Sequence, residues 1–375
     1  MVIPRPSRYN PAMPQWDRVV IFLPNWIGDV VMATPALRAL RRHLAGSHIC
    51  HVGKPAALET LDGLALADET VADLSASGGK LSGLAAMVRA LRAGRYDLAI
   101  LLPNSFRSAL TAFLGGAARR AGYARDGRGF LLTDTMPPPR DARGRYVPIS
   151  AVDYYLDLTT HLGARRAGRT LALAVPPSAA QAAATLLADS AFDPSRPLVM
   201  LNPGAAFGVS KMWKPARFAA LADALVERRA AQIIINAAPS ERAIAEAVEC
   251  GMHSRPLINF ARRDNSISLL KALAARCQLV VTNDTGARHI AAGLGTPVVT
   301  IFGSTDPRWA AIDFDRERII RVAVPCSPCQ QRLCFQRPGP AYHQCMEAIT
   351  CDMVLPACEE LLSAGRSEQV KAALP

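Results

Sequence analysis

What most constrains the fold of this chain is an alternation that runs twice. From Arg18 onward, short apolar runs at 18–24, 48–53 and 96–102 are separated by helical patterns at 30–44, 81–93 and 105–115. After a break the pattern restarts, with strands expected at 198–202, 232–236, 278–282 and 297–302 and helices at 215–229, 240–250, 267–276 and 285–294. Strands that alternate with helices are read as a parallel sheet covered on both faces. Two such runs in 375 residues predict two wound domains in series. The stretch 135–148, "TMPPPRDARGRYVP", reads as a surface loop, and an amphipathic helix, "AVDYYLDLTTHLG", follows it. The Pro-rich 175–197 region, with a helix at 178–189, reads as the domain joint. Residues 1–16 read as a flexible extension, 17–190 and 191–350 as the two domains, and 351–375 as a closing helix that packs back on the first.

Composition narrows the class. The formal charge is +12, of which residues 1–190 hold +8 and residues 191–375 hold +4. The excess comes from arginines such as Arg119, Arg120, Arg125, Arg128, Arg140, Arg143, Arg145, Arg165, Arg166 and Arg169. Such a field favours a nucleic acid, an anionic membrane or a phosphorylated substrate, unless the arginines are merely solvated ends of helices. The first residues lack the apolar core of a signal peptide, and no uncharged apolar run reaches the roughly 18–20 residues of a membrane span. A cytosolic location is therefore expected, with a membrane surface within reach but not crossed. Nine cysteines in that setting predict free thiols rather than a disulfide framework.

Three stretches carry candidate chemistry. In "FLPNWIGDVVMATPAL" one carboxylate, Asp29, stands where the first strand turns into a helix. It either caps that helix or is a general base at the carboxyl end of the strand, where open parallel sheets bind ligands. In "LNPGAAFGVSKMWKP" a strand ends in a turn holding Gly204, Gly208, Ser210 and Lys211. That is either a tight turn with solvated lysines or a place where amides and an ammonium meet phosphate. In "LVVTNDTGARHIAA" Asp284, Thr285 and Gly286 open a helix that carries His289 one turn later. Free amides and a helix dipole there suit a diphosphate. No G-x-G-x-x-G follows a strand and no G-x-S-x-G occurs, which disfavours nicotinamide dehydrogenases and α/β-hydrolases. Asn104, Ser105 and Arg107 end the 96–102 strand. Arg107 suits a bidentate grip on carboxylate or phosphate, while Ser105 equally suits a helix cap.

Together with the tail "AYHQCMEAIT", these stretches resemble the ADP-heptose:lipopolysaccharide heptosyltransferases of glycosyltransferase family nine, in order over nearly the whole chain. The nearest likeness is to the type that extends a heptosyl-Kdo inner core. The resemblance implies an α/β chain of GT-B fold, two Rossmann-like domains facing across a cleft, with the acceptor on the first and the ADP-sugar on the second. It implies inverting transfer that needs no metal. Asp29 would be the base and Lys211 would meet the diphosphate, with Gly204, Ser210, Asp284, Thr285, Gly286 and His289 around the donor. Asn25, Asn104, Ser105 and Arg107 would take the acceptor. "GARH" departs from the commoner "GLMH" or "GLSH" but leaves the histidine in register. The implied partners are ADP-heptose and a lipopolysaccharide acceptor at the inner face of the cytoplasmic membrane, reached peripherally. Neighbouring readings are another family-nine transferase with a different sugar or acceptor, and a non-catalytic metal- or nucleic-acid-binding protein. Scarce aromatics among the arginines speak against nucleic acid.

Cys326, Cys329, Cys334 and Cys345 crowd 20 positions beside His343. Their types suit a structural zinc or iron site, although the spacing matches no common finger. Cys50, Cys250 and Cys277 read as core residues.

Overall fold

A computed structural model of the chain describes residues 16–74 and 80–372. The flexible extension expected at 1–16 lies, but for Trp16, outside the described residues. The chain forms two compact units, Met1–Leu171 with Arg308–Ile312, and Ala172–Pro307 with Asp313–Pro375.

The first unit is a six-stranded parallel sheet of β1 (Arg18–Phe22), β2 (His48–Gly53), β3 (Glu69–Ala72), β4 (Leu98–Leu101), β5 (Arg119–Tyr123) and β6 (Asp134–Met136). Its helices are α1 (Ile27–Met32), α2 (Thr34–His43), α3 (Pro55–Leu61), α4 (Lys80–Gly94), α5 (Phe106–Leu114) and α6 (Ala151–His161). The second unit repeats the plan with β7 (Leu198–Asn202), β8 (Gln232–Ile235), β9 (Ile258–Asn259), β10 (Leu279–Asn283), β11 (Val298–Phe302) and β12 (Glu317–Arg321). Its helices are α7 (Pro177–Asp189), α8 (Pro215–Arg229), α9 (Arg242–Gly251), α10 (Ile267–Arg276), α11 (Gly286–Leu294), α12 (Gln344–Glu347) and α13 (Cys351–Ala372).

The strand orders are β3-β2-β1-β4-β5-β6 and β12-β11-β10-β7-β8-β9. Both are the same doubly wound order, in which winding reverses between the first and fourth strands of each sheet. Ligands of such sheets bind at that reversal, outside the carboxyl ends of the strands. The central strands explain why they read so clearly. RVVIF, LVMLN, LVVTN and VVTIF are buried almost end to end, as strands covered on both faces must be.

Several boundaries differ from expectation. The helix expected at 30–44 is two helices, broken at Ala33, which closes α1 and caps α2, with Pro35 the second residue of α2. Proline lacks the amide an uninterrupted helix would need. The second unit starts at 172 rather than 191, because α7 packs on α10. The closing helix α13 packs on α8, β10, β11 and β12, all in that same unit. β6 occupies the start of the segment read as a loop.

Several arginines of the first half are held locally, which fixes their side chains but leaves the net excess of +8 as it was. Arg119 pairs with Asp134, Arg145 with Asp141, Arg166 with Asp153 and Asp157, and Arg169 with Asp153. Arg125 and Arg140 lie over the Tyr146 ring, 4.0 and 4.2 Å from its centre.

Candidate active site

In each sheet the candidate residues stand at the winding reversal. Asp29 follows β1 and Asn104, Ser105 and Arg107 follow β4. Lys211 follows β7 and Asp284 to His289 follow β10.

Asp29 is the third residue of α1 and half-buried. The N-cap position belongs to Trp26, which makes no capping bond. So Asp29 enriches the positive end of the helix but is not its cap. Helix α6 packs nearby, and burial together with the Asp29 charge raises the phenol of Tyr155. Asn25 is exposed at the same turn.

The β4–α5 turn is built more tightly than expected. Ser105 caps α5, accepting from the Ser108 amide at 3.3 Å. Asn104 Oδ1 accepts from Tyr154 Oη at 3.0 Å, and Tyr154 stacks on Tyr123 with ring centres 3.7 Å apart. Arg107 lies 3.8 Å from Asp73 and remains partly exposed. Holding the turn from below is Arg128, fully buried. Its Nε donates to Tyr123 O at 3.0 Å, and one terminal nitrogen donates to Pro103 O and to Ser108 Oγ at 3.1 Å. Burial lowers its pKa to about 10. The sequence marked Arg128 only as one basic residue among many.

In the second unit the site closes around one ion pair. Lys211 Nζ donates to Asp284 Oδ2 at 2.6 Å and to Asp284 O at 3.1 Å. Thr305 Oγ1 donates to the same carboxylate oxygen at 2.8 Å, and Arg288 stands 4.0 Å from the other. Burial alone would push the Asp284 carboxyl up, but Lys211 and Arg288 outweigh it and hold it below the usual range. Thr285 is the N-cap of α11, its hydroxyl 3.0 Å from Thr282 Oγ1 and 3.2 Å from Asn202 Nδ2. The first amides of α11 lack intrahelical partners. His289, one turn in, is buried, and its Nδ1 has no hydrogen-bond partner among the described residues. Burial and the neighbouring Arg288 depress its pKa to about 3, so it is neutral at working pH.

Two of the donor-side candidates also take part in the frame. Ser210 is buried; its hydroxyl lies 3.0 Å from Ser304 Oγ and donates to Gln331 O. A Cβ on Gly204 would meet the Glu241 carboxyl, which would have to swing aside. Glu241 was not singled out by sequence, nor was the amide ladder beneath the site. In that ladder Asn265 donates to Asn236, and Asn236 to Asn202, both at 2.6 Å. Arg288, one of the two residues that depart from the commoner motif, is buried with two bonds to Glu317 of β12, at 2.6 and 2.8 Å. Polar residues spaced along different strands leave no linear signal, so only the fold could gather them.

All nine cysteines are free. Cys50 and Cys277 are buried, but Cys250 is exposed on α9 rather than in the core. Cys326, Cys329, Cys334 and Cys345 share one neighbourhood, close enough that the first three raise the Cys345 thiol, whose burial is the larger cause. Yet among the described residues no three of His, Cys, Asp or Glu stand in a metal-holding arrangement. No helix among the described residues is long and apolar enough to cross a membrane.

Comparisons with known proteins agree with this geometry. The sequence profile of glycosyltransferase family 9 (heptosyltransferase) matches residues 84–338. Lipopolysaccharide heptosyltransferase 2 of Salmonella typhimurium is 26% identical over 357 residues, 92% of this chain and 99% of that protein. Lipooligosaccharide heptosyltransferase 2 of Haemophilus ducreyi is 29% identical over 358 residues, again 92% and 99%. Among solved structures, Escherichia coli ADP-heptose lipopolysaccharide heptosyltransferase II superposes with a TM-score of 0.75 at 23% identity, covering 93% of this chain and 99% of that one. The glycosyl transferase family 9 structure from Veillonella parvula gives 0.78 at 21% identity, covering 93% and 97%. The two parallel sheets are thus those of the GT-B fold. With the profile spanning more than half of the sequence, the chain belongs to glycosyltransferase family 9.

Proposed function

We propose that the chain transfers heptose from ADP-L-glycero-D-manno-heptose to the heptosyl-Kdo inner core of lipopolysaccharide, with inversion. The observation that carries this reading is the convergence of Lys211, Asp284, His289 and the start of α11 at the winding reversal of the second sheet. Relatives that match over nine-tenths of this chain are named for heptosyl transfer, which favours this sugar over another.

In the proposed step the acceptor hydroxyl attacks the anomeric carbon, and the bond from that carbon to the β-phosphate oxygen breaks. Asp29 takes the hydroxyl proton. ADP leaves with one more negative charge on its β-phosphate. Lys211 and the α11 amides meet that charge, which grows toward the transition state, so they lower the barrier more than they tighten the ground state. A neutral His289 adds no competing cation and its buried ring nitrogen offers a further polar contact. Lys211 and the dipole of α11 fill the role that a divalent cation fills in many sugar-nucleotide transferases. The acceptor would be met peripherally, at the inner face of the cytoplasmic membrane.

The test is a set of transfer assays with ADP-heptose and truncated lipopolysaccharides, with products weighed by mass spectrometry. Asp29→Asn should lower kcat by at least about a hundredfold, in keeping with lost general-base catalysis, while ADP still binds. Turnover of Asp29→Asn near the wild-type rate would remove the base assignment. Transfer to a core that lacks its first heptose would favour the family-nine alternative with another acceptor.

A further inference from the structure

The tail motif "AYHQCMEAIT" has been given no part in donor binding, yet its histidine reaches the loop that carries Lys211. Residues 322–343 form a strap without helix or strand, with Leu333 and Phe335 exposed. A strap with so little apolar burial should be held by polar bonds; its first part is bonded to Gly303 and Ser304 after β11, and its later part to Ser210. The Ser210 amide donates to Arg332 O at 3.2 Å and its hydroxyl to Gln331 O. Its carbonyl accepts from His343 Nε2 at 3.0 Å. Two residues earlier, a Cβ on Gly208 would strike the Arg332 carbonyl, so the strap crosses the loop backbone there. Phe207 lies between the two segments, with Lys211 Nζ 4.7 Å and the Arg332 guanidinium 5.5 Å from its ring centre.

His343 is itself held in an unusual state. Its φ of 55° and ψ of 22° place a non-glycine residue in the left-handed region. Its amide donates to Cys334 Sγ at 3.2 Å, and its carbonyl accepts from Met346 N and Glu347 N at 2.9 and 3.0 Å. The stretch beyond is pinned in turn, with Trp213 Nε1 donating to Ile349 O at 2.8 Å and Arg217 to Glu347 O at 2.7 Å. Backbone strain of this kind persists only where surrounding contacts over-determine it, and it clusters at working sites. A carbonyl only accepts, so the ring nitrogen facing Ser210 carries a proton.

The peptide unit is planar, so fixing the oxygen of residue 210 fixes the amide of residue 211. We propose that His343 is a positioning residue for Lys211. By holding the Ser210 carbonyl it sets the plane of the Ser210–Lys211 peptide, and so the direction from which the ammonium meets a nucleoside diphosphate. This inference rests on the reading of the second unit as the ADP-sugar site.

The experiment uses the full chain and two substitutions. Asn tolerates the left-handed backbone but its amide is too short to reach Ser210. Gln keeps a donor at nearly the same reach. Binding of ADP is measured by titration calorimetry, and KM for ADP-heptose and for the acceptor by steady-state transfer. His343→Asn should weaken ADP binding and raise the ADP-heptose KM about tenfold, or 1.4 kcal/mol, with the acceptor KM unchanged. His343→Gln should stay within about threefold of wild type. Unchanged ADP affinity in His343→Asn overturns the inference, as do parallel losses for ADP and acceptor, which would mark general loosening. Were the Asn variant to unfold, the Gln variant decides alone, since a tenfold loss of ADP affinity there overturns the inference and wild-type affinity upholds it. Wild-type protein that fails to bind ADP sinks the donor-site reading and this inference with it.

Discussion

Replacing Lys211 will test whether its ion pair with Asp284 is formed in the free enzyme, which decides how any loss of activity should be read. The pair is 2.6 Å long, and its side chains are only 12% and 8% exposed. Removing one partner of a buried pair costs about 3–5 kcal/mol, because the other charge is left in a poor medium. Here Thr305 still donates to Asp284 and Arg288 is 4.0 Å away. Lys211→Met should therefore fall near the bottom of that range, about 3 kcal/mol. Asp284→Asn should cost less, since Lys211 keeps its bond to the Asp284 carbonyl at 3.1 Å. The double variant has no stranded charge, so its loss should fall short of the sum by about 1–3 kcal/mol. Urea unfolding of the four proteins at pH 7 measures this. The Asp284 carboxyl titrates below its unfolded value, so its stabilisation is present above the ordinary carboxylate pKa and is lost as pH falls through the depressed folded one. The coupling should accordingly fade on acidification below about pH 4. Additive losses at pH 7, within about 0.5 kcal/mol, would refute the reasoning and show a lysine free of its partner.

Two further outcomes follow from buried groups. His289 titrates at about 3 in the fold against 6.5 as a free side chain, so its contribution is complete above the unfolded value and declines as pH drops below it. Between pH 7 and 5.5 the wild type should lose about 1 kcal/mol more than His289→Gln in urea unfolding, and parallel pH profiles would remove the claim of a buried neutral imidazole. Arg128→Lys keeps the charge but not the fork that reaches Tyr123, Pro103 and Ser108 together. It should cost about 1–3 kcal/mol, read by thermal or urea unfolding, and a variant as stable as wild type would show that the fork does not hold the β4–α5 turn.

Much of the architecture was legible because central parallel strands are buried on both faces and must be apolar throughout. Hence "RVVIF", "LVMLN" and "VVTIF" declare themselves. The strands that escaped notice are mostly short or near the margins. β3 is an exposed ETVA, β6 has three residues and β9 two, while β5 opens on two arginines and β12 is only partly buried. Such strands need no apolar signature. Proline marked the break between α1 and α2, but a helical period that continued across it hid the interruption.

Residue by residue, the sequence alone determined which groups stand after the first and fourth strands of each sheet, since a strand end followed by Asp29, Lys211 or "NDTGARH" is a local pattern. What the tertiary structure decided is which of them meet. Only the winding of the second sheet sets Lys211 on Asp284 and puts Thr305 on the same oxygen. Only the return of the strap brings His343 to Ser210, 133 residues away. The physical reason is range: strand and helix propensities act over a few neighbouring residues, whereas a hydrogen bond between distant segments exists only after packing has set their backbones in place.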